Sequence, residues 1–150
     1  MSNHFPRIRN TLLLAVALVL AAAAGAADIG QIKVAKGEVS VERAGQAMPG
    51  VVGTRLQPAD TVRTGADGSV GITMVDDSLL SAGPNSVFSL ARYAFDPTTN
   101  KGQFDTSLRK GSLAVISGRI AKESPDAMTV RTPLAILGVR GTEFVVKIDD

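Results

Sequence analysis

The sequence of 150 residues contains no cysteine, no tryptophan, one tyrosine and a single histidine. That histidine, His4, lies in the amino-terminal leader, so the rest of the chain has neither a thiolate nor an imidazole. Composition therefore excludes disulfides, thiol nucleophiles, Cys/His zinc sites and histidine-dependent triads. The chain also has no nucleophile elbow, and the sequence predicts a protein that is not an enzyme and uses no cofactor or metal.

Beyond the leader, the chain has no excess of positive or negative charge. The whole chain has 16 Lys and Arg against 14 Asp and Glu. The difference comes from Arg7 and Arg9 of the leader, so the chain from Asp28 onward is neutral. A neutral body gives no basis for counterion-release binding to phosphate backbones, and no nucleic-acid partner is expected.

The leader, residues 1–27, has the three-part order of a secretory signal peptide. Two arginines precede an apolar run over residues 12–24, and small residues of an Ala-x-Ala-like cleavage site follow. The run is shorter than the roughly 20 residues of a membrane-spanning helix. We expect cleavage after Ala26 or Ala27, with an uncleaved anchor as the alternative.

Cleavage would leave residues 28–150 as one domain in the periplasm or outside the cell, with no membrane span. In this domain short apolar alternation is punctuated by turn residues such as Gly, Asp and Asn. The pattern predicts an all-β fold of about ten short strands after a signal-peptide helix. An antiparallel meander or sandwich and a β-helix-like roll remain open. Residues 68–90 predict a three-stranded meander, and residues 96–102 predict an exposed loop between two strands.

Several motifs resemble those of the FecR domain, a periplasmic module named after an iron-citrate signalling regulator. The most specific is Thr132-Pro133 followed by Gly138-Val139-Arg140-Gly141-Thr142-Glu143-Phe144, which is similar to the family's closing T-P and V-R-G-T-E-F strand. The resemblance covers residues 33–146. It departs from the family pattern at Ala59, where glycine is usual, and at Asp77-Ser78, which lacks an intervening glycine. The motif residues expected to have structural or interaction roles are Gly53, Leu56, Asp60, Thr64, Gly65, Asp77, Gly111, Thr132, Pro133, Val139, Arg140, Gly141, Thr142 and Phe144.

The resemblance implies a stand-alone exported module that binds or senses rather than catalyses. Its expected partner is a periplasmic or outer-membrane protein, with a cell-envelope polymer as a further possibility. The terminal strand, residues 142–148, is a candidate sheet edge to which a partner strand could add. The alternatives are a secreted carbohydrate-binding or carbohydrate-active domain using surface carboxylates and Tyr93, and a structural protein that self-associates by strand pairing.

Individual residues carry more specific predictions. Asp60 is expected to be a turn carboxylate that accepts backbone N–H bonds. Arg140 is expected to pair with a carboxylate such as Asp60 and so to dock the last strand. Gly141 is expected where another backbone approaches closely and a branched side chain would not fit. Tyr93, Phe95 and Phe104 are expected to cover one end of the core.

Overall fold

The computed structural model describes residues 26–149, and the predicted signal-peptide helix lies outside these residues. Nearly all regular structure within them is β, which confirms the predicted fold class. A five-residue helix and one 3₁₀ turn, Pro125–Ala127, join two of the strands. The elements are β1 Gly30–Lys36, β2 Val39–Arg43, β3 Gln46–Pro49, β4 Arg55–Leu56, β5 Thr61–Thr64, β6 Ser69–Met74, β7 Leu79–Ala82, β8 Val87–Phe95, β9 Gly102–Ile116, α1 Arg119–Glu123, β10 Met128–Arg131, β11 Ile136–Gly138 and β12 Glu143–Ile148.

The central architecture is a four-stranded antiparallel sheet folded in half. Three of its strands are each formed by two consecutive elements, β1 with β2, β5 with β6 and β7 with β8, and the fourth is the long β9. One half, which we call the first leaf, places β1, β6, β7 and the end of β9 side by side. The second leaf places β2, β5, β8 and the beginning of β9 side by side. All four strands bend along one line, which we call the seam.

Each leaf buries every second side chain against the other leaf, as alternation along a strand requires. In the second leaf the paired residues Val41, Val62, Phe88 and Leu108 form one row, and all four are fully buried. The matching row of the first leaf is Ile32, Ile72, Leu80 and Val115. The core is therefore a single apolar layer between the leaves.

Glycine and hydroxyl residues make the seam possible. Gly111 has a φ of +82°, and Ser86 occupies the space that a side chain at this position would need. Thr64 Oγ1 donates to the carbonyl of Gly83 at 2.6 Å and accepts the N–H of Ser86 at 2.9 Å. Ser86 Oγ in turn accepts the N–H of Ser112 at 3.0 Å. These hydroxyls satisfy backbone groups that the bend takes out of the regular ladders.

The predicted meander over residues 68–90 is wrong in its third strand. β6 and β7 form an antiparallel hairpin, but β8 pairs with β5 and β9 and makes no ladder with β7. The reason is that Gly83-Pro84-Asn85 bends the chain across the seam instead of reversing it. The sheet also departs from the predicted antiparallel arrangement at β10, which runs parallel to β9.

The two leaves end in four outer strands, β4 and β12 on the first and β3 and β11 on the second. The predicted loop after β8 is confirmed, because residues 96–101 connect β8 to β9 as a turn. The chain is held in place just before β1, because Ile29 is buried and its N–H donates to the carbonyl of Leu56. Among residues 26–149, no helix has the length and apolar character needed to cross a membrane.

Candidate functional site

The terminal strand β12 forms an open sheet edge. It pairs with β9 from Glu143 opposite Ile116 to Ile148 opposite Gly111, and within residues 26–149 nothing pairs with its other side. The N–H of Ser117 bonds to the carbonyl of Thr142 at 2.8 Å. In an antiparallel ladder every second residue bonds to the neighbouring strand, so Thr142, Phe144 and Val146 direct their backbone groups towards β9. The N–H and carbonyl of Val145 therefore point away from β9, towards the open edge.

Apolar side chains surround this edge. Val145 is 67% exposed on the outer face, whereas Phe144 and Val146 point inward and are only partly covered by the core. A groove of about 230 Å³ runs beside β12 and is also lined by Leu137 and Val139. We call these five residues with the open backbone edge the β12 edge surface. Side chains along β12 point alternately inward and outward, so the surface fits an extended segment that carries apolar side chains at every second position.

Arg140 pairs with a carboxylate, as predicted, but the carboxylate is that of Asp126 and not that of Asp60, so the expected docking of the last strand through Asp60 is wrong. Its Nη2 lies 2.7 Å from Asp126 Oδ1, and both side chains are more than three-quarters exposed. An exposed pair of this kind contributes little to stability. Ser117 anchors the closing motif instead, because its hydroxyl donates to the carbonyl of Gly141 at 2.9 Å.

Gly141 is required for a different reason from the one predicted. No atom outside its chain neighbours lies within 4 Å of the position that a Cβ would take, so the predicted close backbone approach is wrong. Its φ is +143°, a conformation that side-chain-bearing residues rarely adopt. Gly141→Val is therefore disfavoured by backbone strain and not by lack of space.

Asp60 is a buried turn carboxylate, as the sequence predicts. It accepts the N–H of Gln57 at 2.8 Å. Its second partner, Arg43, donates through Nε at 2.9 Å and Nη2 at 2.7 Å, a bidentate pair that occupies both oxygens. This hydrogen bonding raises the pKa of Arg43 above its usual value. The pair fixes β2 to the turn before β5.

Asp76 is a buried polar centre that the sequence did not reveal. Its carboxylate accepts the hydroxyl of Tyr93 at 2.8 Å, the hydroxyl of Ser78 at 2.8 Å and the N–H of Ile120 at 3.2 Å. Burial, reinforced by the negative charge of Asp76, raises the pKa of Tyr93 well above its usual value. The motif residue Asp77 beside it has a φ of +69°. Two of these donors, Tyr93 and Ile120, come from β8 and α1, so a local pattern could have identified only Ser78.

The aromatic residues near this centre are structural. Tyr93 and Phe104 are buried, with ring centroids 5.0 Å apart in an edge-to-face arrangement. They cover the core as predicted, and Tyr93 offers no exposed platform for a sugar. Phe95 packs beneath the guanidinium of Arg119, which lies 4.8 Å from the ring centroid.

The other motif residues occupy three places. Thr64, Gly65 and Gly111 lie at the seam. Gly53, with a φ of +96°, lies in the turn before β4, where Leu56 is fully buried. Thr132 and Pro133 begin the turn from β10 to β11, and Thr132 Oγ1 accepts the N–H of Ala135 at 3.1 Å. The motif set is therefore dispersed over the fold. Of its members, Val139 and Phe144 belong to the β12 edge surface, and Arg140 also lines the groove.

Comparison with known proteins gives one match. A family model described as FecR protein matches residues 60–150. No curated protein and no solved structure matches the chain. The matched segment includes the Asp76 centre, most of the seam residues and all described residues of the β12 edge surface.

Proposed function

Because the chain belongs to the FecR family, we propose that it is a non-catalytic module of the cell envelope that binds a protein partner by strand addition to β12. Membership implies a signal-sensing or regulatory role. The predicted leader supports export to the periplasm or beyond, where a periplasmic or outer-membrane protein is the expected partner.

The observation that carries the proposal is the incompletely covered β12 edge. A strand laid beside β12 would satisfy the outward backbone groups of Val145. Its inward side chains would cover Phe144 and Val146 and fill the groove beside them. Main-chain pairing would supply affinity, and the groove would select apolar side chains at alternate positions. A segment of alternating apolar character is the partner motif that this geometry favours.

The test uses residues 28–150 and two substitutions at one position. Val145→Pro removes a backbone donor that β9 does not use, and proline is tolerated at such places in edge strands. Val145→Ala removes most of the side chain but retains the N–H. Each immobilised protein is used to capture partners from an envelope extract, which are identified by mass spectrometry, and circular dichroism checks that both variants fold.

We expect wild type and Val145→Ala to recover the same outer-membrane transducer or membrane regulator, and Val145→Pro to lose it. Equal recovery by all three proteins would exclude strand addition at this edge. Recovery of glycan alone would favour the carbohydrate-binding alternative. Sedimentation equilibrium at several concentrations distinguishes self-association, because pairing of two β12 edges would produce a dimer that Val145→Pro abolishes.

A further inference from the structure

A second surface lies away from β12, on the outer face of the second leaf. Here β8, β9 and β10 run side by side and enclose a groove of about 350 Å³. Three arginines, Arg92, Arg109 and Arg131, line it, one from each strand. We call it the arginine groove.

Irregularities of the sheet place two of these arginines. In β8 the register shifts between Ser89 and Arg92, and in β9 it shifts near Arg109. At each shift two consecutive residues are exposed, where a regular strand would bury one of them. Such bulges redirect side chains and often occur beside binding sites. The third, Arg131, lies directly beside Ser107 because β10 is parallel to β9.

The groove is rich in donors and poor in free acceptors. Its single carboxylate, Asp105, accepts the hydroxyl of Thr129 at 2.6 Å and the amide of Gln103 at 2.8 Å. Arg92 approaches it only to 3.9 Å. Within residues 26–149, Arg109 and Arg131 form no ion pair. Three guanidinium groups against one engaged carboxylate make a local positive site in a neutral domain.

We propose that the arginine groove binds the oxyanion groups, phosphate or carboxylate, of an anionic polymer. The planar guanidinium fork matches both groups through paired hydrogen bonds. Arg92 and Arg131 pair with Asp105 and Ser107, two residues apart on β9. With strands about 4.8 Å apart and a rise of about 3.4 Å per residue, the two arginines are separated by roughly 12 Å at the backbone. That span exceeds a single oxyanion and suits a chain that presents several. The proposal involves none of the residues of the β12 edge surface.

The test measures binding of three soluble polymers to residues 28–150 by isothermal titration calorimetry. Polyphosphate presents phosphate groups, polygalacturonate presents carboxylates, and dextran is the neutral control. The groove variant combines Arg109→Gln with Arg131→Gln. The matched control combines Lys33→Gln with Arg55→Gln, which removes the same charge beside β1 and β4 on the first leaf. A third variant combines Arg109→Lys with Arg131→Lys, which keeps the positive charge but removes the planar guanidinium fork.

We expect one of the two anionic polymers to bind, and which one binds identifies the oxyanion. The groove variant should weaken that binding by about tenfold for each arginine removed. The lysine variant should also weaken it, whereas the matched control should retain wild-type affinity. Absence of binding by both anionic polymers would overturn the proposal. So would binding of dextran with equal affinity, or equal weakening by the groove variant and the matched control. Val145→Pro should bind the polymer normally, so this result and the strand-addition result are independent.

Discussion

At the scale of the residue, the part of the chain that the structure describes buries two carboxylates and holds them with different donors. Asp60 receives a bidentate guanidinium, whereas Asp76 receives only neutral hydroxyl and backbone donors. Both are fully buried, so the donors around each must replace the water lost on folding. The prediction of a turn carboxylate at Asp60 succeeded because the turn that contains it is local, and the carboxylate accepts the N–H of Gln57 within that turn. Asp76 was missed because Tyr93 and Ile120 are distant in sequence.

Arg43→Gln should destabilise the domain by leaving Asp60 buried without its counter-charge. We expect a loss of about 2–3 kcal/mol in the free energy of unfolding, less than for a fully buried pair because the Arg43 side chain is 30% exposed. The control is Arg63→Gln, which breaks an exposed pair with Glu42 and should cost less than about 1 kcal/mol. Urea denaturation measures both, and similar losses would show that burial of Asp60 is not what makes the pair important.

Tyr93 should make stability decrease in alkaline solution. Its pKa in the unfolded chain is about 10, and burial beside Asp76 raises the folded value. Below pH of about 10 both states keep the proton, so Tyr93 gives no pH dependence. Above it only the unfolded state releases the proton, which favours unfolding.

The chain has one tyrosine, so tyrosinate absorbance reports on this residue alone. We expect the absorbance to stay low in the folded protein and to appear together with unfolding as the pH rises. Tyr93→Phe should reduce the alkaline loss of stability measured by urea denaturation. Ionisation of Tyr93 at its ordinary pKa in a folded domain would contradict the buried hydrogen bond to Asp76.

At the scale of the element, short strands were predictable and their partners were not. Alternation located β6 within residues 68–90 and β12 within residues 142–148, because a half-buried strand must alternate. It could not tell whether the turn after β7 reverses the chain or bends it across the seam. A turn that reverses the chain and a bend that crosses the seam use the same residue types. Which of the two forms depends on whether the next strand packs against the same leaf or the opposite one.

Gly111→Ala tests the seam against a matched glycine. Gly45 has a φ of +78°, close to the +82° of Gly111, but an added Cβ at Gly45 meets no atom within 4 Å. Gly45→Ala should therefore cost only the left-handed backbone strain, about 1 kcal/mol. Gly111→Ala adds a clash with the backbone of Ser86 and should cost about 3 kcal/mol or more. Thermal and urea unfolding compare the two, and equal losses would mean that the seam tolerates a side chain.

At the scale of the whole molecule, the seam makes the two leaves one unit. Four strands run through both leaves, and a single core lies between the leaves. Neither leaf could therefore bury its apolar inner face without the other. This arrangement leaves the β12 edge surface and the arginine groove on different parts of one folded unit. The two proposed sites share no residue, so binding at one would leave the other open.

The sequence by itself determined the β class, the neutral domain, the absence of cysteine and histidine chemistry beyond the leader, and the family motifs. These follow from composition and from local alternation, which require no knowledge of distant contacts. Tertiary structure decided the seam, the pairing of Asp60 with Arg43, the Asp76 centre and the convergence of three arginines. Each of these depends on which strands lie side by side, and that is fixed by packing of the two leaves around their shared core.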